Sequence, residues 1–213
     1  MLRNLIILCS IALALAALLR VPPGTWRLSL VLTLSVTLAL LTELAGMLLV
    51  YLGHTNNLLY NLVVTVEFLL LMWLMDRNRP AWRGWWMTGA GFGLSAMVAV
   101  ACVHDPTEFL LIEGVLCFSI LLSIALVTSL WHLARTSDVA LYRVPEFWLF
   151  MGMLIYFGGM VPVIGMIRFV FRMDADLAAR LYMIVPWLCI VRYLATAFAC
   201  MLQVRRSAPS RNG

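Results

Sequence analysis

Glu43 (in LLTELAGMLLVYL), Glu67 (LVVTVEFLLLMWL), Glu113 (FLLIEGVLCF) and Arg192 (LCIVRYLATAF) each have apolar neighbours on both sides. An ionisable side chain in such a setting costs several kcal/mol unless it has a partner, a water-filled cavity or a task. Three acids against one base leave either a surplus negative charge or a proton to be held. The chemistry open to such a set is an ion pair, a protonatable site or a polar anchor for a ligand. Each alternative requires the groups to meet, so their spacing matters as much as their type.

Further polar residues accompany them. Asn57, Tyr60 and Asn61 precede Glu67, and Tyr60 and Glu67 are seven residues apart, hence on one helical face. Cys189, Arg192 and Thr196 form another stripe at spacings of three and four. Ser29, Thr33, Thr37, Ser119 and Ser123 recur at steps of four, where hydroxyls serve helix packing or bond to their own backbone. Two readings stay open. Arg192 pairs with Glu43 or Glu67 purely to hold helices together, or the cluster is a ligand or proton site made of Glu43, Asn57, Tyr60, Asn61, Glu67, Glu113 and Arg192. A second feature, Gly158-Gly159 followed by Pro162, marks a candidate hinge. Proline removes a backbone donor and crowds the carbonyl four residues earlier. The glycine pair Gly89 and Gly93 reads as internal helix packing.

The elements that must position these residues are membrane spans. Of the 213 residues, 64% are hydrophobic and 12% charged, about half the charge of an ordinary soluble domain. A soluble fold could not bury so much apolar surface, so the expected class is all-α and polytopic. Runs of about 20 apolar residues cross the hydrocarbon core. They fall at 3–19, 27–52, 58–75, 85–103, 109–133, 147–170 and 181–203. Turn formers and charge separate them, as in Val21-Pro22-Pro23-Gly24, Gly53-His54-Thr55-Asn56-Asn57 and His104-Asp105-Pro106. The expectation is one seven-helix transmembrane domain over 1–203 with a short basic tail at 204–213, and no soluble domain.

Every basic residue is an arginine, and their placement sets direction. With the N-terminus outside, the inner segments hold Arg20, Arg27, Arg77, Arg79, Arg83, Arg135, Arg143, Arg205, Arg206 and Arg211, ten against the outer four, Arg3, Arg168, Arg172 and Arg180. Positive charge favours the cytoplasmic side, so the predicted topology is N-out and C-in. Reading the first span as a cleaved signal peptide would reverse that charge split. Counting from the predicted helix ends puts Glu43, Glu67 and Arg192 at one depth, about ten residues or ~15 Å from the outer side. Glu113 comes out shallower. The polar groups thus predict an outward-opening cavity lined by Tyr60, Asn61, Glu67 and Glu113.

Several activities are excluded. Without a lysine there is no retinal Schiff base. His54, His104 and His132 divide between the two faces and cannot share a metal, and no Ser-His pair sits at a common depth. Cys9, Cys102, Cys117, Cys189 and Cys200 are scattered singly, without metal-ligand spacing. No catalytic residue, metal or cofactor is expected. The net charge of +5 resides in short loops, which argues for topology rather than nucleic-acid binding.

The segment ELAGMLLVYLGHTNNLLYNLVVTVEF, Glu43 to Phe68, resembles a pattern in small bacterial seven-helix membrane proteins of no established function. In those an acid and glycine late in helix 2 precede Asn-Asn, Leu-Tyr-Asn and then Glu-Phe. The aromatic opening Phe147-Trp148 and Tyr156-Phe157 of helix 6 is also similar. The resemblance implies a bacterial cytoplasmic (inner) membrane location and transfers no activity.

Three functional classes follow. The first is a receptor-like or sensory module with an outer ligand pocket, an unidentified small-molecule ligand and a cytoplasmic or membrane signalling partner. The second is a small proton-coupled transporter, and the third is a structural subunit of a membrane complex. In each the constant partner is the lipid bilayer. The topology itself is testable: a reporter fused after Gly213 is expected to read out in the cytoplasm, and a periplasmic signal would overturn the common-side assignments built on the arginine split.

Overall fold

A computed structural model of the chain describes residues 2–107 and 110–207. Among the described residues there are eight α-helices and no strands: α1 (Leu2–Leu19), α2 (Ser29–Tyr51), α3 (Asn57–Asn78), α4 (Arg83–Val103), α5 (Ile112–Thr136), α6 (Pro145–Met173), α7 (Ala175–Tyr182) and α8 (Ile184–Ser207). Six of them, α2 to α6 and α8, are long and apolar enough to cross a membrane, and α1 is a shorter apolar helix. The predicted start of the fifth span at 109 and the end of the tail, Arg211 included, lie outside the described residues.

Two boundaries differ from expectation. The stretch 171–180 between the last two apolar runs reads as a connection, yet α7 forms there because Asp174 caps it, accepting from the backbone N–H groups of Asp176 at 2.8 Å and Leu177 at 3.1 Å. The last long helix therefore starts after Tyr182 rather than at 181. It also continues to Ser207, so the first part of the expected tail is helical. The predicted turns at Gly24 and Gly53 are realised with positive φ of 82° and 77°, which glycine adopts without steric cost. With 29 residues, α6 is ~43 Å long, more than the ~30 Å hydrocarbon core, and it must tilt or protrude.

Short connections make sequential helices neighbours, so the chain runs round a ring: α1 on α2, α2 on α3, α5 on α6, α6 on α8, and α8 back on α1. Helix α4 packs outside, against α3 and α5, which also touch each other. Ile11 and Ala14 of α1 are fully buried, so the first helix is part of the core and closes the ring.

Small residues set the closest approaches. A Cβ at Gly93 would strike the ring of Phe68, one at Gly152 would overlap that of Ala195, and one at Gly114 would strike the sulfur of Met97. Gly93 thus acts in internal packing, as its spacing implied. Phe68 itself stacks on Phe118, with centroids 4.1 Å apart and planes 9° from parallel, joining α3 to α5. The hydroxyls Thr33, Ser119 and Ser123 donate to the carbonyls four residues back, at 2.8, 2.9 and 2.7 Å. Each thereby bonds to the backbone of its own helix.

Candidate functional site

Helix α8 buries Ile190, Arg192, Tyr193, Thr196, Ala197, Ala199 and Cys200, a stripe at steps of three and four facing inward. Arg192 is therefore directed into the bundle by the same periodicity that places its apolar neighbours. Its side chain is 3% exposed, and its Nη2 donates to Glu67 Oε1 at 2.6 Å; the glutamate side chain is 16% exposed. Ser35 of α2 donates to the same oxygen at a longer 3.4 Å. The guanidinium carbon lies 5.0 Å from the ring centre of Tyr156 and 5.3 Å from those of Phe157 and Tyr193. A negative ring face stabilises a cation by about 0.5–1 kcal/mol at an exposed site and about 2 kcal/mol or more where water is excluded. The base thus sits between one carboxylate and three aromatic rings supplied by α6 and α8.

Beside the pair is a small cavity of about 40 Å³ lined by Val64, Glu67, Phe118, Ser119, Tyr156 and Met160 among others. It has room for a water molecule or two and no more. Glu67 is thus engaged by Arg192, with little free space beside it.

Glu43 behaves differently. Glu67 stands opposite Ser35 across the α2–α3 contact, and Glu43 is eight residues further along α2. At 1.5 Å per residue it lies ~12 Å nearer the α2–α3 turn. The expected common depth of the two acids is therefore corrected: distances counted from predicted helix ends miss the register between α2 and α3. At that level a groove of about 730 Å³ opens between α1, α2 and α3. Glu43, Tyr60, Asn4 and Asn56 supply its polar groups; Leu5, Leu8, Met47 and Val50 supply apolar walls. Gly46 forms part of the floor, with the Tyr60 hydroxyl so close that a Cβ there would lie 3.0 Å from it. Glu43 has no salt-bridge partner among the described residues, since Arg192 is engaged by Glu67.

The single cavity expected from Tyr60, Asn61, Glu67 and Glu113 is accordingly not formed. Tyr60 and Glu67 share a face but stand two turns apart, ~10 Å, and line separate spaces. Asn61, one position on from Tyr60, points elsewhere. Its amide donates to Pro106 O at 2.9 Å and accepts from Leu111 N at 3.0 Å, tying the α4–α5 connection to α3. In that connection Asp105 accepts from the Thr107 hydroxyl and backbone N–H, which hold its carboxyl below the usual aspartate range. Glu113 is half-buried in the first turn of α5 and lines neither space. Asn56, rather than Asn57, faces the groove. Asn4 was overlooked in the sequence; its place at the α1 end that an antiparallel α1–α2 pair puts beside the α2–α3 turn was the available signal.

The candidate hinge is continuous helix. α6 remains α-helical across Pro162, and the space at Gly159 is taken by Leu188 of α8, so this glycine permits close packing. Among the described residues no group of three or more potential metal ligands occurs. No protein-family model, curated protein or solved structure matches this chain.

The unequal roles of the two acids give an expected outcome. Glu67→Gln or Arg192→Met strands one half of a buried pair and should cost about 3–5 kcal/mol. Glu43→Gln, at an open groove, should stay within about 0.5 kcal/mol. Thermal unfolding in mild detergent reads both, and equal losses at Glu43 and Glu67 would contradict the assignment.

Proposed function

We propose that this chain is a receptor-like module of a bacterial inner membrane. In this reading α1 to α6 and α8 are seven spans, with the N-terminus outside, and a small ligand occupies the groove between α1, α2 and α3. The observation that carries the reading is the groove itself, about 730 Å³, in which Glu43, Tyr60, Asn4 and Asn56 stand among largely apolar walls. Ligand sites commonly combine such walls with a few placed polar groups. The core burial of α1 supports counting it as a span.

The ligand class follows from the lining. A carboxylate beside a phenol and two amides favours a group that donates hydrogen bonds or carries positive charge. Leu5, Leu8, Met47 and Val50 favour an apolar body. A small amphipathic amine meets both requirements. Glu67 and Arg192 serve to hold α3, α6 and α8 in place behind the groove. The signal passes to a membrane or cytoplasmic partner at the arginine-rich end.

A thermal-shift screen of small apolar amines against the detergent-purified protein tests this. A compound at about a hundred times its Kd should add ~2.7 kcal/mol of stability. The gain should vanish in Glu43→Gln while the unliganded melting temperature is kept. If no amine stabilises the protein, or if a gain survives Glu43→Gln undiminished, the groove is not this site.

A further inference from the structure

At the opposite end of the bundle, three arginines from different elements line one recess of about 490 Å³: Arg27 in the linker before α2, Arg77 in the last turn of α3 and Arg206 in the last turn of α8. The recess contains one acid, Glu146 of α6. Its Oε1 accepts from the Trp26 indole N–H at 2.8 Å, which fixes the linker onto α6. Gln203 of α8 braces the same linker by donating to Thr25 O at 3.1 Å. The wall that carries Arg27 is therefore held by two side-chain bonds spanning the chain, and it is not a loose loop.

Of the other arginines of this end, Arg20 and Arg205 line a separate, smaller recess of about 250 Å³ between α1 and α8, and four more have partners of their own. Arg79 lies over Trp82 at 4.1 Å, Arg135 over Trp131 at 4.6 Å and Arg143 over Tyr142 at 5.6 Å, while Arg83 reaches Asp76 at 4.0 Å. Arg77 also lies over a ring, Trp73 at 5.2 Å, and differs from those three in lining the recess with Arg27 and Arg206. Arg27 and Arg206 have neither a ring nor a carboxylate partner among the described residues. Three positive charges against one carboxylate, in a concave and polar site, are matched by an anion with several acceptor oxygens. Arginine forks fit phosphate in that way, two N–H groups to two oxygens.

We propose that the recess bounded by Arg27, Arg77 and Arg206 is a phosphate-binding site, taking the phosphate of an anionic lipid headgroup or of a soluble phosphate compound. The site is separate from the groove at Glu43 and does not rest on the receptor reading.

The test uses the full chain purified in neutral detergent. Native mass spectrometry with phosphatidylglycerol or phosphatidylcholine added reads lipid retention, and a melting-temperature titration with inorganic phosphate reads the soluble source. The expected result is phosphatidylglycerol retained over phosphatidylcholine, or stabilisation by phosphate. Arg27→Gln/Arg77→Gln/Arg206→Gln should weaken it about tenfold or more. Arg135→Gln/Arg143→Gln, which removes two arginines of the same end outside the recess, should leave it unchanged. Response to phosphatidylglycerol alone identifies a headgroup; response to inorganic phosphate identifies a soluble ligand. Should the triple variant fail to fold, Arg206→Gln alone, at an exposed position, gives the same comparison. Absence of both responses in the unaltered protein overturns the proposal. So does an equal loss in the two variants, which would mark only a diffusely basic surface.

Discussion

The ion pair between Arg192 and Glu67 is the constraint on which the rest of the bundle depends. A guanidinium 3% exposed has given up its hydration, and only a close anion and polarisable neighbours can offset that loss. Glu67 supplies the anion from α3, Ser35 steadies it from α2, and Tyr156, Phe157 and Tyr193 supply ring faces from α6 and α8. Four helices must therefore hold fixed rotations and register for one charge to be tolerated. Apolar side chains alone rarely impose such a demand, because they repack at small cost. An apolar equivalent of the pair could be as stable, because desolvating the two charges offsets much of their attraction, whereas losing one partner alone is costly.

Register and packing carry that constraint outward. With α2 set against α3 through Ser35 and Glu67, Gly46 comes beneath Tyr60, and Glu43 arrives at a groove instead of at the arginine. Gly152 lets α8 approach α6 as closely as Ala195 allows, which keeps the Arg192 backbone near the ring cluster. Asn61 pins the α4–α5 connection onto α3. The polar residues near the α2–α3 turn therefore divide into two kinds. Some are spent on holding the chain, and others remain directed at open space.

Much of this was legible beforehand. Apolar runs separated by Pro, Gly and charge located the long helices, because lipid imposes a length and a composition that little else requires. A lone arginine among apolar residues required an acid at its own depth, and Glu67 proved to be that acid. The order of depths was less accessible. Glu43 and Glu67 look equivalent when counted from helix ends, yet helix pairs slide until side chains interlock, and that register is decided by Ser35, Gly46 and Tyr60 together. The helix α7 was hidden because its eight residues carry charge, which reads as a loop until the Asp174 cap is recognised. Asn61 resembled a site residue and turned out to be a brace, since an amide with two backbone partners looks the same in sequence as one that awaits a ligand.

Two carboxyls in one apolar bundle stand in opposite conditions, Glu67 against a guanidinium and Glu43 at an open groove, and covalent labelling separates them most directly. Dicyclohexylcarbodiimide enters through lipid and reacts with carboxyls that are not held in ion pairs. Peptide mapping by mass spectrometry after treatment of the folded protein should place the adduct on Glu43 and leave Glu67 unmodified. Removing the base with Arg192→Met should then expose Glu67 to the reagent. An adduct on Glu67 in the unaltered protein, or protection of Glu43, would contradict the division between a paired and an open carboxyl.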